Sequence, residues 1–470
     1  MDTVTADPTS NCIPKRFIMK NPNFFYKLCM LILLILSISC KKAANSNSFE
    51  VIPSHPLNSV SDLDLLLEEI GNDRLVLLGE ASHGTAEFYE WRTEISRRLI
   101  EEKGFKIIAV EGEWADSYRM NQFITGGPKD STAAVSALQT YNRWPTWMWG
   151  NRQVASLITW LNSHNQGKAE IDKARFYGLD VYCLWEAMQE ITPLLPASDP
   201  LLPVVQQVNQ CFQPFSANPE EYADAVSRSS VECRSNTEAL WQQILQRSSG
   251  STAVTEPEFV IQQNALVALN GEKYYRTMIT SGSESWNIRD RHMMQTIKRL
   301  LDFHGADSKM IIWAHNTHVG DARFTDMADA GMVNIGQLTR EELGEENVFL
   351  VGFGTYQGRV IAGKSWGSPL QEMKLPEAKK GSWEHLLHQN GTGNKLLLSS
   401  ELIRNARFMK SIGHRAVGVV YNPNNEQGNY VPTIIPKRYD AFVFIDNTTA
   451  LEPLQINPNN EPPDTYPTGY

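Results

Sequence analysis

Two hydrophobic periods share this chain. Leu75-Val76-Leu77-Leu78-Gly79 and Lys106-Ile107-Ile108-Ala109-Val110 are short apolar runs that fit strands buried on both faces. Between them Phe88, Trp91, Ile95, Leu99 and Ile100 recur at helical spacing, which predicts a helix from Thr85 to Glu102. Arg175–Gly178, Met310–Trp313, Asn347–Gly352, Ala416–Val420 and Ala441–Ile445 are the further strand candidates. From Cys183 to Phe303 the pattern turns helical, including Glu220–Gln246, Glu256–Ile279 and Ile288–Leu301. Strands alternating with helices predict an α/β fold with a mostly parallel central sheet flanked by helices. The helical stretch, about 183–305, reads as an insertion or subdomain forming one wall of a cleft.

The N-terminus follows neither period. The apolar run Leu28 to Ile38 is preceded by Lys15, Arg16, Lys20 and Lys27, the layout of a signal peptide and too short for a membrane span. It runs into Ser37-Ile38-Ser39-Cys40, which resembles a bacterial lipobox, whose cysteine is lipidated and becomes the new first residue. The expected organisation is a lipoprotein signal peptide over 1–39, a tether over 40–56, a single α/β domain over 57–453 and a flexible Pro-rich tail over 454–470. The expected location is outside the cytoplasm, on the periplasmic or cell-surface side of a bacterial membrane, held by a lipid anchor at Cys40.

Composition narrows the partners. Of 470 residues 42% are hydrophobic and 20% charged, enough for a large core and unlike a disordered or collagen-like chain. The net charge of -10, without a basic stripe, argues against nucleic acid as a partner. Six cysteines in such a length do not make a disulfide scaffold.

The candidate chemistry sits where the predicted strands stop. The first runs into Glu80-Ala81-Ser82-His83-Gly84, the second into Glu111-Gly112-Glu113, the third into Asp180, and Met310–Trp313 into His315-Asn316-Thr317-His318. In open α/β sheets ligands bind beyond the carboxyl ends of the strands, so these residues are expected at one active site. His83 suits a general base that takes a proton from water, and Glu80 or Glu111 could fix its tautomer. Arg92, two turns into the helix, could stabilise an oxyanion or hold a carboxylate. His315 or His318 could protonate a leaving alkoxide. His318, Asn316, Arg289 and Trp147 are the candidate substrate contacts. Trp144, Trp147 and Trp149 could line an apolar cleft or pack beneath a loop. Arg289 and His292 share a helix face and either could reach the site, with helix packing the preferred reading of His292.

Two other chemistries fit less well. Two histidines with Glu80 and Glu111 could bind Zn²⁺ or Mn²⁺, but the spacing is not that of a helical H-E-x-x-H pair, so neither metal nor cofactor is expected. No G-x-S-x-G elbow occurs, and Ser82 beside His83 would point away from it.

Taken together, Gly79-Glu80-Ala81-Ser82-His83-Gly84, Arg92 and Ala109-Val110-Glu111-Gly112 resemble the erythromycin esterase family. So do Asn287-Ile288-Arg289-Asp290-Arg291-His292, the block from Trp313 to Arg323, Val351-Gly352-Phe353-Gly354-Thr355-Tyr356 and Phe444-Ile445-Asp446. The resemblance spans roughly Asn58 to Pro453. It implies a water-activating His83 surrounded by Glu80, Arg92, Glu111 and His315. It also implies hydrolysis of a small-molecule ester or lactone without a covalent enzyme intermediate. The family's best-known members open macrolide rings and so confer antibiotic resistance. It implies in addition a disulfide between Cys211 and Cys233, leaving Cys183 in the core. Two alternatives stand beside this esterase reading: a metal-dependent hydrolase of another bond, and a non-catalytic surface protein binding carbohydrate or lipid. His83 and Glu80 are both in place, which weighs against the second.

Overall fold

The computed structural model describes residues 51–128, 130–215, 218–229, 231–248 and 254–456. The expected signal segment, Cys40 and residues 457–470 of the expected tail lie outside the described residues. No helix among the described residues is long and apolar enough to cross a membrane.

The strands, in chain order, are β1 (His55–Pro56), β2 (Leu75–Leu78), β3 (Ile107–Glu113), β4 (Arg175–Asp180), β5 (Met310–Trp313) and β6 (Val348–Gly363). They continue with β7 (Leu370–Leu375), β8 (Lys395–Leu398), β9 (Ile412–Arg415), β10 (Tyr430–Thr433) and β11 (Ala441–Thr448). Nine of them form one sheet in the order β1-β8-β11-β6-β2-β5-β3-β4, with β7 added to β6. The stretch from β11 to β4 is parallel throughout, and β1, β8 and β7 join antiparallel. Every residue of β2, β3, β4 and β5 is buried, as helices on both faces require. Alternate residues feed two cores, Val76 and Leu78 on one face of β2 and Leu75 and Leu77 on the other.

The helical wall runs from Leu184 to His304 and has a core of its own, built on residues such as Val205, Val208, Phe212 and Tyr222. Its last helix, Gly282–His304, straddles both bodies. Met293, Ile297 and Leu300 pack toward the sheet, whereas Ile288 joins the wall. The expected single helix over Glu220–Gln246 is two helices, Pro219–Arg228 and Arg234–Ser248. Local bonding ends the first: the Ser229 hydroxyl donates to the Ala225 carbonyl, and the Cys233 N–H donates to the Tyr222 hydroxyl. Cys233 is bonded to Cys211, and Cys183 is free and buried.

Ala416–Val420 is not a strand. Val417 and Val420 make isolated bridges to Ser82 and Gly363, and the strand there is the preceding Ile412–Arg415, paired with β10. The run is apolar because Val417 is buried against Val360 and Met373 as a connector, so its composition reports burial and not extended pairing. Lys395–Leu398, which did not stand out in the sequence, is the strand beside β11.

A close approach ties the motif after β2 to the sheet. A Cβ on Gly84 would lie 1.9 Å from the Ile361 carbonyl oxygen, and the Ile361 N–H donates to the Gly84 carbonyl at 3.0 Å. Only glycine permits that contact.

Candidate active site

Four neighbouring strands, β2, β5, β3 and β4, carry Glu80, His315, Glu111 and Asp180 within or just beyond their carboxyl ends, so the parallel sheet brings all four to one edge. The edge is stitched by backbone: the Asn316 N–H donates to the Glu80 carbonyl at 2.8 Å.

Glu80 is held from two sides. Arg92, on the helix Ala86–Lys103, donates through Nη2 to Oε2 at 2.6 Å, and His83 Nδ1 lies 2.8 Å from Oε1. The Arg92 guanidinium is wholly buried, 4.3 Å from the Tyr89 ring and 4.6 Å from the Trp313 ring, which fixes its plane. A carboxylate only accepts, so Nδ1 of His83 is the donor, and the neutral ring has its lone pair on Nε2. Among the described residues Nε2 of His83 has no hydrogen-bond partner. Ser82 bonds to Thr85 instead of His83.

His315 has the opposite tautomer. It caps the short helix Asn316–Val319, and its Nδ1 accepts from the Thr317 N–H at 3.3 Å and from the Thr317 hydroxyl at 2.8 Å. The proton therefore sits on Nε2, which is buried without a hydrogen-bond partner at normal geometry. Burial, with His83 beside it, holds the ring well below its ordinary pKa; the Ala81 carbonyl is the weakest opposing influence. The His83 and His315 rings lie 4.8 Å apart. Nε2 of His83, opposite its Glu80 contact, and the Nε2–H of His315 thus belong to adjacent rings.

Glu111 does not orient His83. Its Oε2 accepts the His315 backbone N–H at 2.7 Å, and its Oε1 faces Arg289 Nη2 at 2.7 Å and His318 Nε2 at 3.2 Å. Arg289 also grips Asp180 at 2.6 Å, and His318 Nδ1 donates to Asp290 at 3.0 Å while Trp286 stacks on its ring at 4.4 Å. Burial would raise the Glu111 carboxyl, but His318 and Arg289 outweigh it and hold the group well below the usual range. Burial would likewise lower His318, and Asp290 and Glu111 instead push it up to about 9. Arg289 Nη1 lies 2.9 Å from His318 Nε2, a contact a neutral ring would accept. Three carboxylates against one guanidinium decide for the imidazolium, with both cations directed at Glu111.

This has a consequence for stability. The raised pKa means folding binds a proton at His318, and that stabilisation is complete below the unfolded value near 6.5. It is lost as pH rises toward about 9. Over that window the folding constant should fall by about tenfold per pH unit from this group, and His318→Asn should flatten the slope in urea titrations. Equal slopes in the two proteins would show His318 to be neutral.

The remaining candidates divide. Asn316 turns away from the edge: its amide donates to the Phe353 carbonyl at 2.6 Å and accepts the Phe353 N–H at 3.2 Å. Trp147 is 1% exposed in the core against Trp144, whereas Trp149 lines a cavity of about 30 Å³ with Glu111, Arg289, Asp180 and Tyr182. That volume suits a single water molecule. His292 accepts from Asn270 within the helical wall. Asp290, Trp286, Glu384 and His414 were not singled out in the sequence. The only available signal was for the first two, which lie inside or beside the block Asn287–His292 that carries Arg289.

As a metal cradle the constellation is poorly suited. Both oxygens of Glu80 and of Glu111 are engaged, each carboxylate with a guanidinium, and both nitrogens of His318 face carboxylates. No group of three or more His, Cys, Asp and Glu is arranged to hold an ion among the described residues.

The sequence pattern of the erythromycin esterase family matches residues 100–448, most of the chain. This protein belongs to the erythromycin esterase family. The match begins downstream of Glu80, His83 and Arg92 and includes Glu111, Arg289, His315 and His318. Erythromycin esterase type II of Escherichia coli is 22% identical over 366 residues, covering 73% of this chain and 85% of that protein. Two solved structures share the fold. A succinoglycan biosynthesis protein aligns at a TM-score of 0.69 and 17% identity over 87% of this chain and 99% of its own. A histidine-to-asparagine variant of erythromycin esterase EreC, in its open conformation, aligns at 0.63 and 16% over 85% and 96%. Membership of the erythromycin esterase family marks this chain as a hydrolase.

Proposed function

We propose that this member of the family hydrolyses a carboxylic ester or lactone of a small hydrophobic molecule by direct attack of water. The observation that carries the reading is the buried series Arg92–Glu80–His83, which leaves His83 Nε2 as a lone-pair acceptor beside the unpaired Nε2–H of His315.

His83 Nε2 takes a proton from water as the hydroxide oxygen bonds to the carbonyl carbon. The imidazolium that forms is stabilised by Glu80, which Arg92 keeps in place. The carbonyl oxygen becomes an oxyanion, and the His315 Nε2–H, neutral and desolvated, donates to it. Collapse breaks the bond to the alkoxide, which takes the proton back from His83, leaving an acid and an alcohol. Glu111 fixes the His315 backbone and stays outside the proton transfer. No step calls on a cofactor.

The test is mass spectrometry of a macrolide and a panel of lactones and aryl esters incubated with the protein in heavy-oxygen water, with and without a strong chelator. The expected result is gain of one water by at least one compound in both samples, with label in the acid from the first turnover. Gain only without chelator would favour a metal-dependent hydrolase, and no gain from any compound would overturn the reading.

A further inference from the structure

Behind the site lies a second histidine–glutamate pair. His414 belongs to β9 and Glu384 to the helix Trp383–Gln389, and both are wholly buried. His414 Nδ1 lies 2.5 Å from Glu384 Oε1, which also accepts the Arg415 N–H at 2.9 Å. The carboxylate only accepts, so His414 donates from Nδ1, and its Nε2 is left to accept from the Asn316 amide at 3.1 Å. Burial keeps His414 below its ordinary pKa despite Glu384, in agreement with a neutral ring that donates on one side and accepts on the other.

Asn316 is the link to the chemistry. Its amide replaces a strand partner for Phe353 of β6, giving and receiving a hydrogen bond at one residue. Its carbonyl accepts from Arg438 at 2.9 Å and its N–H donates to the Glu80 carbonyl. Gly79 makes room, since a Cβ there would stand 2.1 Å from Asn316 Oδ1. The next residue back is His315, whose own N–H is fixed by Glu111. The backbone beneath the His315 ring is therefore held from two sides, by Glu111 in front and by Asn316 behind, while Thr317 holds the ring through Nδ1.

We propose that His414, backed by Glu384, is a positioning residue for hydrolysis. It holds the Asn316 amide in one orientation and thereby aims the Nε2–H of His315. The inference rests on the proposed role of His315 and adds a group that does not reach the substrate. An amide held only by Phe353 has lost one of its two acceptors, and the turn carrying His315, still tied by Glu80 and Arg438, loses one of its side-chain supports. Misplacement of a catalytic donor by about 1 Å is enough to cost about a hundredfold in rate.

His414→Phe tests this, because phenylalanine keeps the ring that packs edge-on to Tyr439 and Phe442 and removes both nitrogens. His414→Gln is the rescue, since its side-chain oxygen restores an acceptor toward Asn316. The full chain with ¹⁵N-labelled histidine rings gives a readout that needs no substrate, the His315 signals being assigned with His315→Asn. The expected result in His414→Phe is displaced or split His315 signals. On an ester that the wild type turns over, kcat should fall about tenfold or more with KM within about threefold, and His414→Gln should restore both. Unchanged His315 signals in His414→Phe, with only a lower unfolding midpoint, would overturn the positioning role. If His414→Phe does not fold, His414→Ala is measured in the same way. A wild type inert toward every ester would overturn the proposed reaction, and the ring signals would still decide the positioning role.

Discussion

His83→Ala should lower kcat by about a hundredfold or more, the usual worth of general-base assistance. The fold should survive it. Removing the imidazole leaves Glu80 paired with Arg92, so no buried charge is stranded, and the space opened lies at the site and not in the core. The unfolding midpoint should therefore move little while activity is lost. A variant that keeps more than about a tenth of the wild-type rate would remove His83 from the role of base.

The second large effect is on stability. Arg289 is buried and neutralises Glu111 and Asp180 together. Arg289→Met keeps much of the side-chain volume and strands two carboxylates with only His318 to offset them. Breaking a buried ion pair from one side costs about 3–5 kcal/mol, because the remaining charge keeps its desolvation penalty. Urea unfolding of Arg289→Met should show a loss of that size. Arg234→Ala, which removes an exposed pair with Glu238, should change stability by less than about 1 kcal/mol. Near-equal losses in the two variants would mean that the buried cluster is not held together by charge.

The sequence was most legible where a local pattern meets a topological rule. The runs at Leu75 and Ile107 announce buried strands, and placing chemistry at strand ends follows from parallel topology, so Glu80, Glu111, Asp180 and His315 could be grouped without coordinates. The pairing within that group could not. Glu80 and Glu111 offer the same carboxylate to His83, and only the tertiary arrangement gives the first to His83 and the second to the His315 backbone. Asn316 was read as a substrate contact because it lies between histidines, yet the bend after β5 turns its amide toward Phe353. His414 and Glu384 left no trace, since a lone histidine and a lone glutamate on separate elements have no spacing to betray them. Ala416–Val420 misled for a related reason: burial makes a run apolar whether it pairs in a sheet or crosses beneath one.

The strand order carries one more consequence. β5 lies between β2 and β3, although the chain makes it only after the whole helical wall. As synthesis proceeds, β2 and β3 emerge early and cannot complete their mutual place in the sheet until Met310–Trp313 arrives to fill the gap. The same late strand delivers His315 to His83. A chain ending before it would hold His83 without His315 and the sheet without its middle strand, and β6 and β9 must still follow before Phe353 and His414 can back the turn that carries His315.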